Sequence, residues 1–147
     1  MTTIAAAGHL LERARWAARA YADYDLAAVS AIVGAAADAG YAAAERLAEA
    51  AVTETEMGVA AHKVIKNRAC SRGILDHYRG EDLVSPRIDT LRKIVEIPRP
   101  AGVVLAITPT TNPVSTVYFK VILSLMTRNA VVAVSYTHLT LPTNREV

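Results

Sequence analysis

The chain has 147 residues, the size of one domain or part of one, and that length is enough to bury a single core. Hydrophobic residues make up 52% and charged residues 20%, with alanine supplying much of the apolar share, so packed helices are expected and disorder or a fibre is excluded. A net charge of +2, carried by scattered basic residues, gives no electrostatic footprint for nucleic acid or for a membrane surface.

Residues 4–79 are rich in Ala, Leu, Glu and Arg and contain no proline, a composition that fits three or four helices. The first is predicted over 4–20, where Leu10, Leu11, Ala14, Ala17 and Ala18 recur at helical spacing. Glu12, Arg13 and Arg15 interrupt its apolar stretch, so it reads as neither a secretory signal nor a membrane span. Trp16 and Tyr21 read as packing residues. Asp25 is placed to cap a second helix over 26–39, which is expected to stop at Gly40. A third is predicted over 41–55, where Glu45, Arg46, Glu49 and Glu54 read as surface charge. After Gly58 a fourth covers 60–78, with Val64, Ile65, Ala69, Ile74 and Leu75 as its apolar face and Gly73 weakening its last turns. Lys63 and Lys66, one turn apart on that helix, read as a solvated face. Cys70 is the single cysteine and cannot form an internal disulfide, which points to a reducing cytoplasm. His9, His62, His77 and His138 share no ligand spacing, so no metal site is expected.

From Glu81 onward Pro86, Pro98 and Pro100 mark loops, and β-branched residues take over. Residues 91–97 are predicted as a partly exposed strand. Residues 102–108 carry the apolar run Val103, Val104, Leu105, Ala106 and Ile107, the pattern of a strand buried on both faces. Asn112 is a favoured N-cap and Pro113 suits the first position of a helix whose face is Val114, Val117, Tyr118, Val121, Ile122 and Leu125. Arg128 and Asn129 end that helix, and residues 130–134 form a second apolar strand. Strand, short loop, helix and strand make one βαβ unit of a parallel sheet. The apolar runs are far too short to cross a bilayer.

Ligands of open α/β sheets sit at the carboxyl ends of the strands, where this chain places Thr108-Pro109-Thr110-Thr111-Asn112-Pro113. Three hydroxyls and an amide gather there beside the positive end of a helix, a setting that favours an anion or a developing oxyanion. No GxGxxG fingerprint is present. On spacing alone the same residues also suit a plain structural role, with Asn112 capping the helix and the threonines satisfying loop backbone.

The segment Gly102-Val-Val-Leu-Ala-Ile-Thr-Pro-Thr-Thr-Asn-Pro-Val-Ser-Thr-Val-Tyr-Phe-Lys120, continuing to Leu123-Ser-Leu-Met-Thr-Arg-Asn-Ala-Val-Val132, resembles the first βαβ of the CoA-acylating aldehyde dehydrogenases, a family that includes the aldehyde half of bifunctional aldehyde-alcohol dehydrogenases. Met57-Gly58 followed by His62-Lys63-Val64-Ile65-Lys66-Asn67 resembles an upstream stretch of the same family, and the likeness spans roughly residues 14–134. The hydrolytic aldehyde dehydrogenases instead have an aromatic-Asn pair after the corresponding proline.

The resemblance implies a helical N-terminal layer followed by the first βαβ of an aldehyde-dehydrogenase-type Rossmann-like parallel sheet, an α/β fold that is truncated here. It implies NAD-dependent oxidation of an aldehyde to an acyl-CoA: a cysteine thiolate attacks the aldehyde, hydride leaves to the nicotinamide, and CoA resolves the thioester. Ile107, Thr108, Pro109, Thr110, Thr111 and Asn112 correspond to the segment that lines NAD. Asn112 or Thr111 is the candidate oxyanion-hole donor, the choice staying open: with Pro113 held in register with the superfamily, Thr111 falls on the position of its oxyanion-hole asparagine and Asn112 falls one later. The family nucleophile lies beyond the end of this chain, so Cys70 is expected to be inert. The partners implied are an aldehyde and CoA, with neither nucleic acid nor membrane, and the parent enzyme is expected to be a cytoplasmic homo-oligomer.

The string Val134-Ser-Tyr-Thr-His-Leu-Thr-Leu-Pro-Thr143 matches throughout the translation of a widely used transposase sequencing adapter. Residues 135–147 are therefore expected to be an artefactual tail, and 1–134 the N-terminal part of the NAD-binding domain of a larger enzyme. Such a chain is expected to be inactive and prone to aggregate, because strand edges and apolar faces lose their cover. Two other functions fit the same sequence: a fragment of an acylating sulfoacetaldehyde or semialdehyde dehydrogenase, and a non-catalytic module that docks its first helix onto a partner.

Overall fold

The computed structural model describes residues 3–135; of the adapter-like string only Val134 and Ser135 fall among them, and His138 lies outside. Helix α1 spans Thr3–Tyr21, α2 Leu26–Ala42 and α3 Ala44–Thr55. Asp25 caps α2 as its residue type predicts, its carboxylate accepting from the Ala28 amide at 2.8 Å.

Helix α2 does not stop at Gly40. The chain runs on to Ala42 and turns into α3 through a bend of 59° at Ala43. Gly40 is a contact point instead: a Cβ there would lie 3.2 Å from the Ser71 Cβ and 3.4 Å from the Tyr118 ring. The missing side chain lets two other helices approach α2, and nothing local to the sequence distinguishes that use from a helix stop.

The next helical run has three parts, α4 (Ala60–Arg68), a π-helical turn (Ala69–Gly73) and α5 (Ile74–His77). Its buried residues are Lys63, Asn67 and Ser71, spaced by four, while Ile65 of the predicted apolar face is 66% exposed and Ala69 is also exposed. Only Val64, Ile74 and Leu75 of that face are partly buried. Polar side chains occupy the inner face because each finds an acceptor: Asn67 Nδ2 donates across to the Ala44 carbonyl at 3.0 Å, and the Ser71 hydroxyl donates back to the Asn67 carbonyl of its own helical run at 2.7 Å.

The predicted strand over 91–97 is one arm of a small antiparallel hairpin, β1 (Arg87–Asp89) and β2 (Ile94–Glu96). Asp89 accepts from the Arg92 amide at 2.8 Å, and Lys93 takes a left-handed φ of 57°, so a turn occupies the start of that range. The hairpin is exposed, with Leu91 at its tip 94% accessible.

Strands β3 (Val103–Ile107) and β4 (Ala130–Val134) are parallel, Val103 pairing with Ala130 and Ile107 with Val134, and α6 (Pro113–Met126) crosses between them. Asn129 and Arg128 build the lower corner. Asn129 Oδ1 accepts from the Gly102 amide at 2.8 Å, and the Arg128 guanidinium donates to the carbonyls of Ala22, Val84 and Pro98. The sheet is covered more completely on one face than on the other. Ala106 is buried on the α6 side, whereas Leu105 is 62% exposed on the side where α1 lies, so the predicted burial on both faces is not met. The main core joins Val29, Val33 and Ala37 of α2 to Val84 and to Ile122 and Met126 of α6. Trp16, expected to pack, is exposed, while the Tyr21 hydroxyl donates to the Leu125 carbonyl at 3.0 Å. No single helix among the described residues is long and apolar enough to cross a membrane.

Candidate functional site

The loop from β3 to α6 leaves the sheet at Ile107 and enters the helix at Pro113. Thr108 extends the parallel ladder by one step, its amide donating to the Val134 carbonyl at 3.0 Å, and this pairing buries it at the strand end. Pro109 and Thr111 are exposed, and Thr110 and Asn112 are half-buried. Pro113 takes the first helical position.

Asn112 stands at the N-cap position without capping. Its backbone, at φ −139° and ψ 62°, leaves the side chain without a hydrogen bond to the helix amides. The side chain is used across the fold instead: Oδ1 accepts from Lys66 Nζ at 3.0 Å, and Nδ2 donates to the Thr111 hydroxyl at 3.4 Å. The first turn of α6 thus keeps amides that no capping side chain engages.

Lys63 and Lys66 are not the solvated face that their spacing suggests. Lys63 is only 6% exposed and its ammonium donates to the Thr111 carbonyl at 2.9 Å, while Lys66 remains exposed and reaches Asn112. Lys120 of α6 is a third cation at the loop, donating to the Ile107 carbonyl at 2.7 Å. A sequence signal for the first of these existed, since Lys63, Asn67 and Ser71 recur every four residues and so share one helix face. The three ammonium groups and the positive end of α6 give this corner a potential suited to an anionic ligand.

Beside the loop a cleft of about 410 Å³ opens at the carboxyl ends of both strands, lined among others by Thr108, Glu54, Val117, Tyr118 and Ser135. Of the six residues predicted to contact a cofactor, Thr108 lines this cleft. Ile107 directs its side chain to the opposite face of the sheet, like Leu105 two positions earlier. Tyr118 lies below the cleft with its hydroxyl buried and without a hydrogen-bond partner among the described residues. That burial pushes its phenol above the usual range, against the opposing charge of Arg46.

Cys70 sits in the π turn, half-buried, and burial pushes its thiol up, with Lys66 pulling the other way. A neutral thiol there is a poor nucleophile. Among the described residues no three His, Cys, Asp or Glu side chains are grouped so as to hold a metal ion.

Comparison with known proteins agrees with this geometry. The profile of the aldehyde dehydrogenase family matches residues 2–140. The bifunctional aldehyde-alcohol dehydrogenase of Escherichia coli K12 is 41% identical over 134 residues, 90% of this chain and 15% of that protein. The acylating sulfoacetaldehyde dehydrogenase of Cupriavidus necator H16 is 40% identical over 126 residues, 84% of this chain and 26% of that protein. The crystal structure of an acetylating aldehyde dehydrogenase from Geobacillus thermoglucosidasius superposes with a TM-score of 0.81 at 33% identity, over 86% of this chain and 28% of that one. The chain thus spans a small part of the relatives it matches. With a parallel βαβ whose strand-end loop carries Pro-Thr-Thr-Asn-Pro, and with acylating enzymes as its relatives, the chain belongs to the aldehyde dehydrogenase family.

Proposed function

We propose that residues 1–134 are the N-terminal part of the NAD-binding domain of a CoA-acylating aldehyde dehydrogenase, and that the whole enzyme converts an aldehyde to an acyl-CoA with NAD and CoA. The observation that carries this reading is the Pro-Thr-Thr-Asn-Pro loop at the carboxyl ends of two parallel strands, beside an open cleft. The residues present fit a phosphate-bearing cofactor: the amides of the first α6 turn have no capping side chain, and Lys63, Lys66 and Lys120 surround the loop.

When bound, NAD would supply the acceptor for the hydride of the aldehyde carbon. This chain's own part is to shape the cleft and to offer donors. Thr108 and the loop backbone form one wall. Asn112 Nδ2 or the Thr111 hydroxyl supplies a hydrogen bond to the aldehyde oxygen as it becomes negative during thiol attack. Cys70 is not that thiol under this reading, because it sits in the π turn after α4 and does not line the cleft. The nucleophile, the subunit contacts of a homo-oligomer and the rest of the sheet belong to other parts of the enzyme, which acts in the cytoplasm. Residues 135–147 form no part of it under this proposal, and sequencing the intact genomic locus tests that point.

The likeness to an acylating sulfoacetaldehyde dehydrogenase supports a second substrate reading, sulfoacetaldehyde or a semialdehyde in place of a simple aldehyde. A non-catalytic docking role for α1 is a further reading, and Leu10 and Leu11, which are exposed and line a pocket with Leu105 of the sheet, are the residues it would use.

The test is an assay of the protein expressed from the reading frame extended through its natural locus. NADH formation that requires both aldehyde and CoA is expected, and a substrate panel separates the two readings. Aldehyde oxidation that releases a free carboxylate without CoA would sink the acylating assignment.

A further inference from the structure

The two ends of the Asn112 side chain differ chemically, and a neighbour decides which way each points. Lys66 has only donors to offer, so its 3.0 Å contact must be to Oδ1, which turns Nδ2 to the other side, toward the Thr111 hydroxyl. The same helix also grips the preceding residue through the 2.9 Å contact from Lys63 Nζ to the Thr111 carbonyl. Lys63 and Lys66 are three apart on α4, so one rigid face holds two successive loop residues. The Lys63 stem runs past the turn at Gly58, where a Cβ would lie 3.4 Å from Lys63 Cε.

We propose that Lys63 and Lys66 are positioning residues: they tether the β3–α6 loop to α4 by the Thr111 carbonyl and the Asn112 amide oxygen, and so keep Asn112 Nδ2 available as a donor. For its consequence in catalysis the proposal rests on the cofactor and oxyanion reading above. The tether itself is a property of this chain and is measurable alone. It also links the two motif patches physically, because Lys63 of the His62–Asn67 stretch reaches the Pro-Thr-Thr-Asn-Pro loop.

The experiment uses the isotope-labelled 147-residue chain with Lys66→Met and Lys66→Arg, followed by the side-chain amide NMR signals of Asn112. Lys66→Met is expected to shift those signals toward the range of a free asparagine, to leave the amides of Ile122 and Met126 in place, and to be reversed by Lys66→Arg. Lys63→Met, which fills the same volume, is expected to shift the Thr111 and Asn112 signals likewise. Unchanged Asn112 signals in both methionine variants overturn the proposal, as does a shift spread evenly over α4 and the core, which marks a merely structural role. Titration of the whole enzyme, expressed from the reading frame extended through its natural locus, with NAD+ separates the two levels. NAD+ affinity that falls about tenfold in Lys66→Met, the loss expected for one charge-assisted hydrogen bond, supports the tether's role at the cofactor. Absence of NAD+ binding by the whole unsubstituted enzyme overturns the cofactor reading and leaves the tether to stand on the Asn112 signals.

Discussion

The ammonium of Lys63 donates to the main-chain carbonyl of Thr111 at 2.9 Å, joining α4 to a loop 48 residues further along the chain. This is a nearly buried cation satisfied by a neutral acceptor. Burying it requires that the partner stay in place, because an unpaired charge in that position is costly. The contact therefore couples the stability of the helical layer to the geometry of the strand-end loop.

Replacing Lys63 by Met preserves the packed stem and removes the donor. Thr111 is exposed, so water can replace the lost donor at its carbonyl, and the chain is expected to lose about 1 kcal/mol, the net worth of one hydrogen bond. Lys63→Ala is expected to cost more, since it also leaves a cavity. Urea unfolding of the two variants against the unsubstituted chain checks the order.

Gly58 has a φ of +81°, in the left-handed region where a side chain is disfavoured, and it faces the Lys63 stem. Gly58→Ala is expected to destabilise by about 1 kcal/mol or more from backbone strain alone. The new Cβ would meet Lys63 Cε at 3.4 Å, an ordinary contact, so the Lys63 hydrogen bond is expected to survive. A double-mutant cycle with Lys63→Met checks this: near-additive losses are expected, and strong coupling argues for a clash at the stem.

Asp82 accepts hydrogen bonds from the Val84 and Ser85 amides, each at 2.8 Å. The Ser85 contacts are the largest cause holding its carboxyl below the ordinary range, followed by Val84, with Arg87 contributing less. A lowered folded-state value means that the stabilisation is present above the unfolded carboxyl pKa of about 3.9 and is lost as pH falls through the lower folded value. Asp82→Ala should therefore destabilise by a constant amount near neutrality, with the difference shrinking below about pH 4. Thermal midpoints measured across that range test the sign.

The Cys70 thiol is held up by burial and only partly offset by Lys66. Alkylation by iodoacetamide at pH 7 is expected to be slower than for free cysteine and to rise steeply above the ordinary thiol pKa of about 8.5. Lys66→Met should slow it further by removing the offsetting charge. Mass spectrometry of timed samples gives both rates.

Exposed apolar side chains cluster at the hairpin, where Ile88, Leu91 and Val95 face solvent, and on the α1 side of the sheet, where Leu105 and Ile107 do. The isolated chain is expected to self-associate as its concentration rises. Sedimentation velocity checks this, and Leu91→Lys together with Leu105→Lys should reduce the association.

Much of the fold can be read from local sequence. Asp25 before an alanine-rich run and Pro113 after a polar loop mark helix starts because capping and the proline φ act within a few residues. The apolar runs in β3 and β4 and the helical period between them specify a βαβ, and the Pro-Thr-Thr-Asn-Pro motif identifies the family. Only the tertiary structure decided how three ambiguous residues are used. Gly40 is a helix contact and not a stop because Ser71 and Tyr118 come to lie against it. Lys63 is buried because the Thr111 carbonyl, far along the chain, supplies its acceptor. Asn112 leaves its own helix uncapped because Lys66 competes for its oxygen. In each case the deciding partner is remote in sequence, so the local pattern fits two outcomes and the packing of α2, α4 and α6 selects one.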